Sequence, residues 1–260
     1  MLRKSLAFVE IAARQRARDR AAIVGRMGFY ALILFIFSRL WEVVLARTPV
    51  PGIDADSFLW YLAITEWIVL SVPLLHLEIE RDVVRGDLAY RLTRPVPYPL
   101  ARLAEGFGDM LVRMSVLGAF GFALAFVYTG TIPIGPWGWV GVAALGVSAG
   151  ALTLVFYMTI GLLAFWIHDT RPVYWMWQKA SFVLGGLIVP LELYPDWLRA
   201  LADASPFSAL LHGPGRIALG GPPELVFEVA AKLLVWSAVA ITILILVFRR
   251  GLRSVVIGGG

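Results

Sequence analysis

Cysteine is absent from all 260 residues, which excludes disulfides and thiolate metal sites. Charge is scarce. Only 16% of the residues are Asp, Glu, Lys or Arg, against roughly 25% in ordinary soluble domains. Histidine occurs three times, at His76, His168 and His212, without ligand spacing. Each is expected at an interface rather than on a metal. No Gly-x-x-x-x-Gly-Lys-Ser/Thr run is present, so no phosphate-cradling loop is encoded. Acidic residues are scattered, without the cluster that a lipid-modifying transferase in the membrane would need. No internal duplication with paired broken helices is visible, which argues against an ion-coupled secondary transporter. The opening residues are not expected to form a signal peptide. Their apolar stretch is short, Glu10 and Arg14 interrupt it, and no small-residue cleavage site follows.

Apolar sequence is what the chain has in excess. Hydrophobic residues make up 59% of it, in blocks of about 20, the length that crosses a bilayer core of about 30 Å. The blocks are 27–46, 57–77, 106–128, 138–166, 173–193 and 226–248. The expected fold class is all-α, a polytopic membrane protein with six transmembrane helices. The fourth block is longer than the bilayer needs, so it predicts a tilted helix or one extended into the cytoplasm. Residues 1–22 read as a separate amphipathic helix lying in the interface. Leu2, Leu6, Val9 and Ala13 share a face, with Arg3, Lys4, Arg14 and Arg18 towards the other side. Arg16 and Arg20 spoil the apolar face beyond about residue 15. Residues 23–250 form the transmembrane domain, and 251–260 a cytoplasmic tail.

The net charge of +5 does not point to nucleic acid, because the cations sit beside the apolar blocks rather than in one stripe. With the N-terminus in the cytoplasm, sixteen Lys and Arg fall on the inner side and three on the outer side: Arg47, Arg199 and Arg216. Five of the sixteen lie between the second and third blocks, at Arg81, Arg85, Arg91, Arg94 and Arg102. The bias places both termini in the cytoplasm and requires an even number of crossings.

Two connections are long, and long loops in compact membrane proteins are usually functional. The cytoplasmic one, 78–105, begins with a charged helical stretch that carries Glu80, Arg81, Asp82 and Arg85. Gly86 breaks it, and Pro95, Pro97 and Pro99 predict an extended or turning path. Both charge signs, with Leu88, Tyr90 and Leu92 alternating between them, suit docking against a soluble protein.

The stretch GDLAYRLTRPVPYP resembles the segment between the second and third spans of ABC-2 type permeases, closest to the six-span bacterial ABC-2 family transporter proteins. The matching positions are Gly86, Asp87, Leu92, Arg94 and Pro95. A second similarity follows the fifth block, within 194–225 and just before it, at Gly186, Pro190, Tyr194, Pro195, Pro206 and Phe207. The resemblance implies a type V exporter-like fold. The first segment would be a coupling helix seated on an ABC ATPase subunit. The second would be re-entrant helices forming an outer gate. It also implies a second permease chain, as a homodimer or a related heterodimer, in the bacterial inner membrane. Nor does a Leu-Ser-Gly-Gly-Gln-like signature occur. ATP and Mg would therefore belong to the partner, and this chain would carry no cofactor and catalyse nothing itself. The implied cargo is hydrophobic or amphipathic: a drug, lipophilic cation, lipid or glycolipid.

Charges inside the blocks each need an account, since one at the bilayer centre costs at least about 2.5–3.5 kcal/mol. Asp109 and Arg113 are four apart and can neutralise each other, as can Glu228 and Lys232. Lys179 can reach towards the cytoplasm. Glu66 lies mid-span without a local counter-charge. It either pairs with Arg39 of the first span, for which Glu42 competes, or faces the translocation path and favours cations. Gly146 and Gly150 predict close helix packing, within the bundle or across a dimer. Trp137, Trp139, Trp175 and Trp177 read as interfacial anchors.

Overall fold

The computed structural model describes residues 8–14, 20–47 and 54–258. Leu2, Arg3, Lys4, Leu6, Arg16 and Arg18 lie outside the described residues. Among those described the fold is entirely helical. A short helix α1 (8–14) is followed by α2 (Arg20–Arg47), α3 (Ala55–Ser71), α4 (Leu75–Val84), α5 (Asp87–Leu92) and α6 (Tyr98–Thr129). Then come α7 (Pro136–Leu162), α8 (Arg171–Leu184), α9 (Asp196–Asp203), α10 (Gly213–Arg216) and α11 (Glu224–Gly258). Helix α11 continues to Gly258, into the residues assigned to a tail.

Five stretches are long and apolar enough to cross a membrane: Ala21–Arg47, Ala55–Val84, Tyr98–Thr129, Pro136–Phe165 and Glu224–Arg253. The second contains a break at Val72–Leu74, where Pro73 interrupts the ladder between α3 and α4. The fifth expected block departs from a single spanning helix. Helix α8 has 14 residues, about 21 Å at helical rise, too short to cross alone. Gly186, at φ +65°, turns the chain out of the helix, and Pro190 and Pro195 prevent it from resuming. The third block begins early, at Tyr98. Pro97 caps α6 and Pro99 sits in its first turn, where a missing N–H costs nothing. The proline path expected through Pro99 therefore ends at Pro97.

Helix α3 is the centre of the bundle, buried over most of its length. Its neighbours are tied to it by uncharged hydrogen bonds. Tyr30 on α2 donates its hydroxyl to the Ala63 carbonyl at 2.5 Å. The Trp67 indole donates to the Met114 carbonyl on α6 at 2.8 Å. Helix α7 approaches through its glycines. A Cβ on Gly146 would fall 2.4 Å from the Trp67 ring, and one on Gly150 would fall 2.6 Å from the Met110 sulfur. That pair therefore packs inside the chain. Gly108 does the same for α1, with the Val9 carbonyl 2.2 Å from where a Cβ would stand. The N-terminal helix thus rests on α6.

Helices α7 and α11 run side by side. Gly141 meets Val226 at one end of the bundle, and Phe165 meets Gly251 at the other. Helices α2 and α11 are outermost and expose apolar rows. Phe29, Leu32 and Ile36 lie on one, and Leu234, Ile241 and Ile245 on the other. Such surfaces suit lipid.

Candidate functional site

The end of the bundle near Phe165 carries a platform made by α4 and α5. Gly86, at φ +76°, makes the corner between them. A Cβ at this position would meet nothing, so the constraint is the backbone conformation alone. Helix α5 then runs back under the loop to Pro97.

Asp82 locks this platform to α6. It is 5% exposed and accepts from the Tyr98 hydroxyl at 2.8 Å and from Arg102 Nε at 2.9 Å. Arg91 of α5 approaches its other oxygen at 3.3 Å. Arg102 also reaches Glu105 at 2.7 Å and Glu78 at 3.2 Å. The network joins α4, α5 and the first turns of α6. Glu80 makes a second tie, accepting from the Thr170 backbone at 2.7 Å and from its hydroxyl. It thereby binds α4 to the loop that leads into α8. In that loop, a hydrogen bond from Arg171 holds the Asp169 carboxyl below the usual carboxylate range.

The remaining expected docking residues face outward. Arg81, Arg85, Gly86, Asp87, Leu92, Arg94 and Pro95 are exposed, as are the apolar Val84 and Tyr90, the latter at 71%. The nine docking residues thus divide by role. Asp82 and Glu80 hold the platform, while the others form its face. Arg102, Tyr98 and Thr170 were not singled out in the sequence. Arg102 counted only as a loop cation, because the contact that matters joins residues twenty apart.

At the opposite end, the segment after α8 folds over the start of α3. The Gly186 carbonyl accepts the Tyr61 hydroxyl, and Tyr61 lies 3.2 Å from His212 Nδ1. Pro190 precedes a 3-10 turn, Leu191–Leu193, and Pro195 caps α9. Tyr194 donates to the Val183 carbonyl at 2.8 Å, which folds this stretch back onto α8. Pro206 and Phe207 lead into a π-turn, Ser208–His212. Phe207 packs on Trp177, with centroids 4.7 Å apart. All six proposed gate residues therefore lie in one folded unit. His212 is buried in it, and His76 stacks on Tyr174 at 4.1 Å. Both histidines are buried against aromatic neighbours.

Of the intramembrane charges, Asp109 and Arg113 form a two-point pair at 2.8 and 2.6 Å, and Glu228 pairs with Lys232 at 3.1 Å. Arg39 and Glu66 are not brought together. Arg39 bonds Glu42 at 3.1 Å on the exposed side of α2, while Glu66 is buried at 6% exposure in α3. Lys179 lies over the Trp175 and Phe182 rings at 5.4 and 5.5 Å.

A family model described as ABC-2 family transporter protein matches residues 58–259, from the first turn of α3 through α11. The chain belongs to that family. As an ABC-2 protein it is a multi-pass membrane component of an ABC transporter, a permease rather than a catalyst. Membership in the ABC-2 permease family implies association with an ABC ATPase. No match is found among curated proteins.

Proposed function

We propose that this ABC-2 permease is the membrane subunit of an ATP-driven exporter in the bacterial inner membrane, with a separate ATPase docked on the face of α4 and α5. The observation that carries the reading is the division of the platform. Apolar and basic side chains are exposed on its outside, while Asp82 and Arg102 clamp its inside to α6. A push on that face moves α6 as a rigid body, and Glu80 passes part of it to the α8 loop through Thr170.

The chain then crosses six times, with both termini in the cytoplasm. Helix α8 and the folded segment after it supply the fifth crossing. It starts beside Glu80 at Thr170 and reaches Tyr61 at Gly186. Two such chains, identical or related, complete the pathway. The cargo is hydrophobic or amphipathic and enters from the inner leaflet. ATP and Mg sit on the partner.

The test is purification of the tagged full chain from its native membrane in mild detergent, followed by identification of what stays bound. A retained ABC ATPase whose turnover rises when the permease is present is the expected result. Repeated purification without any ATPase would overturn the reading.

A further inference from the structure

We propose that the segment folded over the start of α3 is latched there by a doubly protonated His212, which makes its closure sensitive to pH. The buried ring stands between two oxygens. Tyr61 of α3 lies 3.2 Å from Nδ1, and Glu192 of the 3-10 turn lies 3.4 Å from Nε2.

The protons on this chain of groups can be counted. The Tyr61 hydroxyl has one, and it goes to the Gly186 carbonyl, which has nothing to donate. Tyr61 has no room to move aside. A Cβ on Gly186 would stand 3.0 Å from its hydroxyl, and one on Gly215 would stand 2.6 Å from its ring. The phenol oxygen therefore meets Nδ1 as an acceptor, and Nδ1 carries a hydrogen. Glu192, held by Arg216 at 3.1 Å, is an acceptor as well. Its attraction to Nε2 requires a second hydrogen there. The ring that satisfies both sides is the imidazolium.

Loss of either proton undoes one tie. Without the Nε2 hydrogen, a lone pair faces the carboxylate. Without the Nδ1 hydrogen, the Tyr61 hydroxyl must turn from Gly186 to the ring, which abandons the carbonyl where the chain leaves α8. Gly186, the turn that carries Glu192 and the π-turn that ends at His212 are separate parts of the segment, so both ties are needed to hold it together. Acid favours the latched form and alkali loosens it.

Histidine ordinarily changes charge between pH 5 and 8, whereas the charged groups around this one ordinarily do not. Arg199, Asp203, Arg216, Glu228 and Lys232 line the same cavity of about 140 Å³ as His212. The Tyr194 hydroxyl is spent on the Val183 carbonyl. Among the described residues, Glu192 is the charged group within ion-pair distance of the ring. Arg216 shares its oxygen and offsets part of its pull, so the effect is moderate. That the latched segment is an outer gate rests on the exporter reading above; the pH dependence of its closure does not.

The experiment is hydrogen exchange by mass spectrometry on the full chain in lipid nanodiscs, at about pH 5.5 and about pH 7.5, on either side of the ordinary histidine range. Rates are corrected for the intrinsic pH dependence of exchange, and α7 serves as the reference. Protection across 186–216 should be about fivefold higher at the lower pH, the size of one partly exposed charge contact. His212→Gln should bring that ratio to about one. Glu192→Gln should do the same, because a neutral ring can then accept from the amide. Glu192 is partly exposed, so this variant keeps the test open if His212→Gln does not fold. Equal protection at the two pH values in the parent would overturn the proposal. So would greater protection at the higher pH, or a ratio that survives either variant. No ATPase takes part in these measurements, so the latch and the docking reading fail separately.

Discussion

Arg102 bonds Asp82 through Nε at 2.9 Å and through a terminal guanidinium nitrogen at 2.5 Å, joining α6 to α4 across the whole platform. Both side chains are more than nine-tenths buried. Removing Arg102 leaves the buried Asp82 with only Tyr98 and the more distant Arg91, at a cost of up to about 3–5 kcal/mol. Arg102→Met should therefore lower the melting temperature in detergent sharply. Adding Asp82→Asn to it should recover part of the loss. A double variant as damaged as the sum of the two singles would show that the pair is not coupled.

The face of the platform should behave in the opposite way. Tyr90 and Leu92 are exposed, so Tyr90→Asp and Leu92→Asp should leave the stability within about 0.5 kcal/mol of the parent. Retention of the ATPase on purification should fall at least about tenfold if either residue is an anchor of the interface. Titration of purified ATPase against both variants checks this.

Glu80 links α4 to Thr170 in the loop before α8. Glu80→Gln weakens a charge-assisted contact by about 1–2 kcal/mol. ATPase retention should be unchanged, because the side chain points inward to the loop. ATP-driven transport in proteoliposomes should fall. A variant that transports at the parental rate would remove Glu80 from the transmission route.

Glycines that touch neighbours should separate from those that touch none. Gly146→Ala drives a methyl group into the Trp67 ring and should cost about 1–3 kcal/mol by overpacking. Gly25→Ala, on open α2 surface, should be neutral or slightly stabilising, since alanine is favoured in helices by up to about 1 kcal/mol. Thermal denaturation of the two variants side by side checks the contrast.

Arg39 and Glu66 belong to separate contacts, with Arg39 on Glu42. The stability effects of Arg39→Ala and Glu66→Gln should add to within about 0.5 kcal/mol. A larger coupling in a double-mutant cycle would put them in one pair.

The long apolar helices were legible because bilayer thickness fixes how long an apolar run must be, and α2, α6, α7 and α11 satisfy it without interruption. The fifth block does not run as one helix to its end, because composition counts apolar residues and ignores direction. Val189, Leu191 and Leu193 look like more helix until Gly186 and Pro190 turn the path. The Asp109–Arg113 and Glu228–Lys232 pairs were readable because helical spacing alone sets them. The Arg102 network was not, because it joins three helices and no local rule links Asp82 to residues 98 and 102. The Arg39–Glu66 pairing failed for a related reason. Equal depth in the bilayer does not fix rotation about a helix axis, and α2 turns Arg39 outward to Glu42.

The interruption at Pro73 has a mechanical meaning. A continuous rod from Ala55 to Val84 would deliver thrust straight along its axis, as a piston does. A rod with an elbow turns the same thrust into a sideways swing of its upper arm. Because that upper arm packs against α2, α6 and α7, a stroke a few ångströms long at the base would be felt as a change of tilt in those three helices.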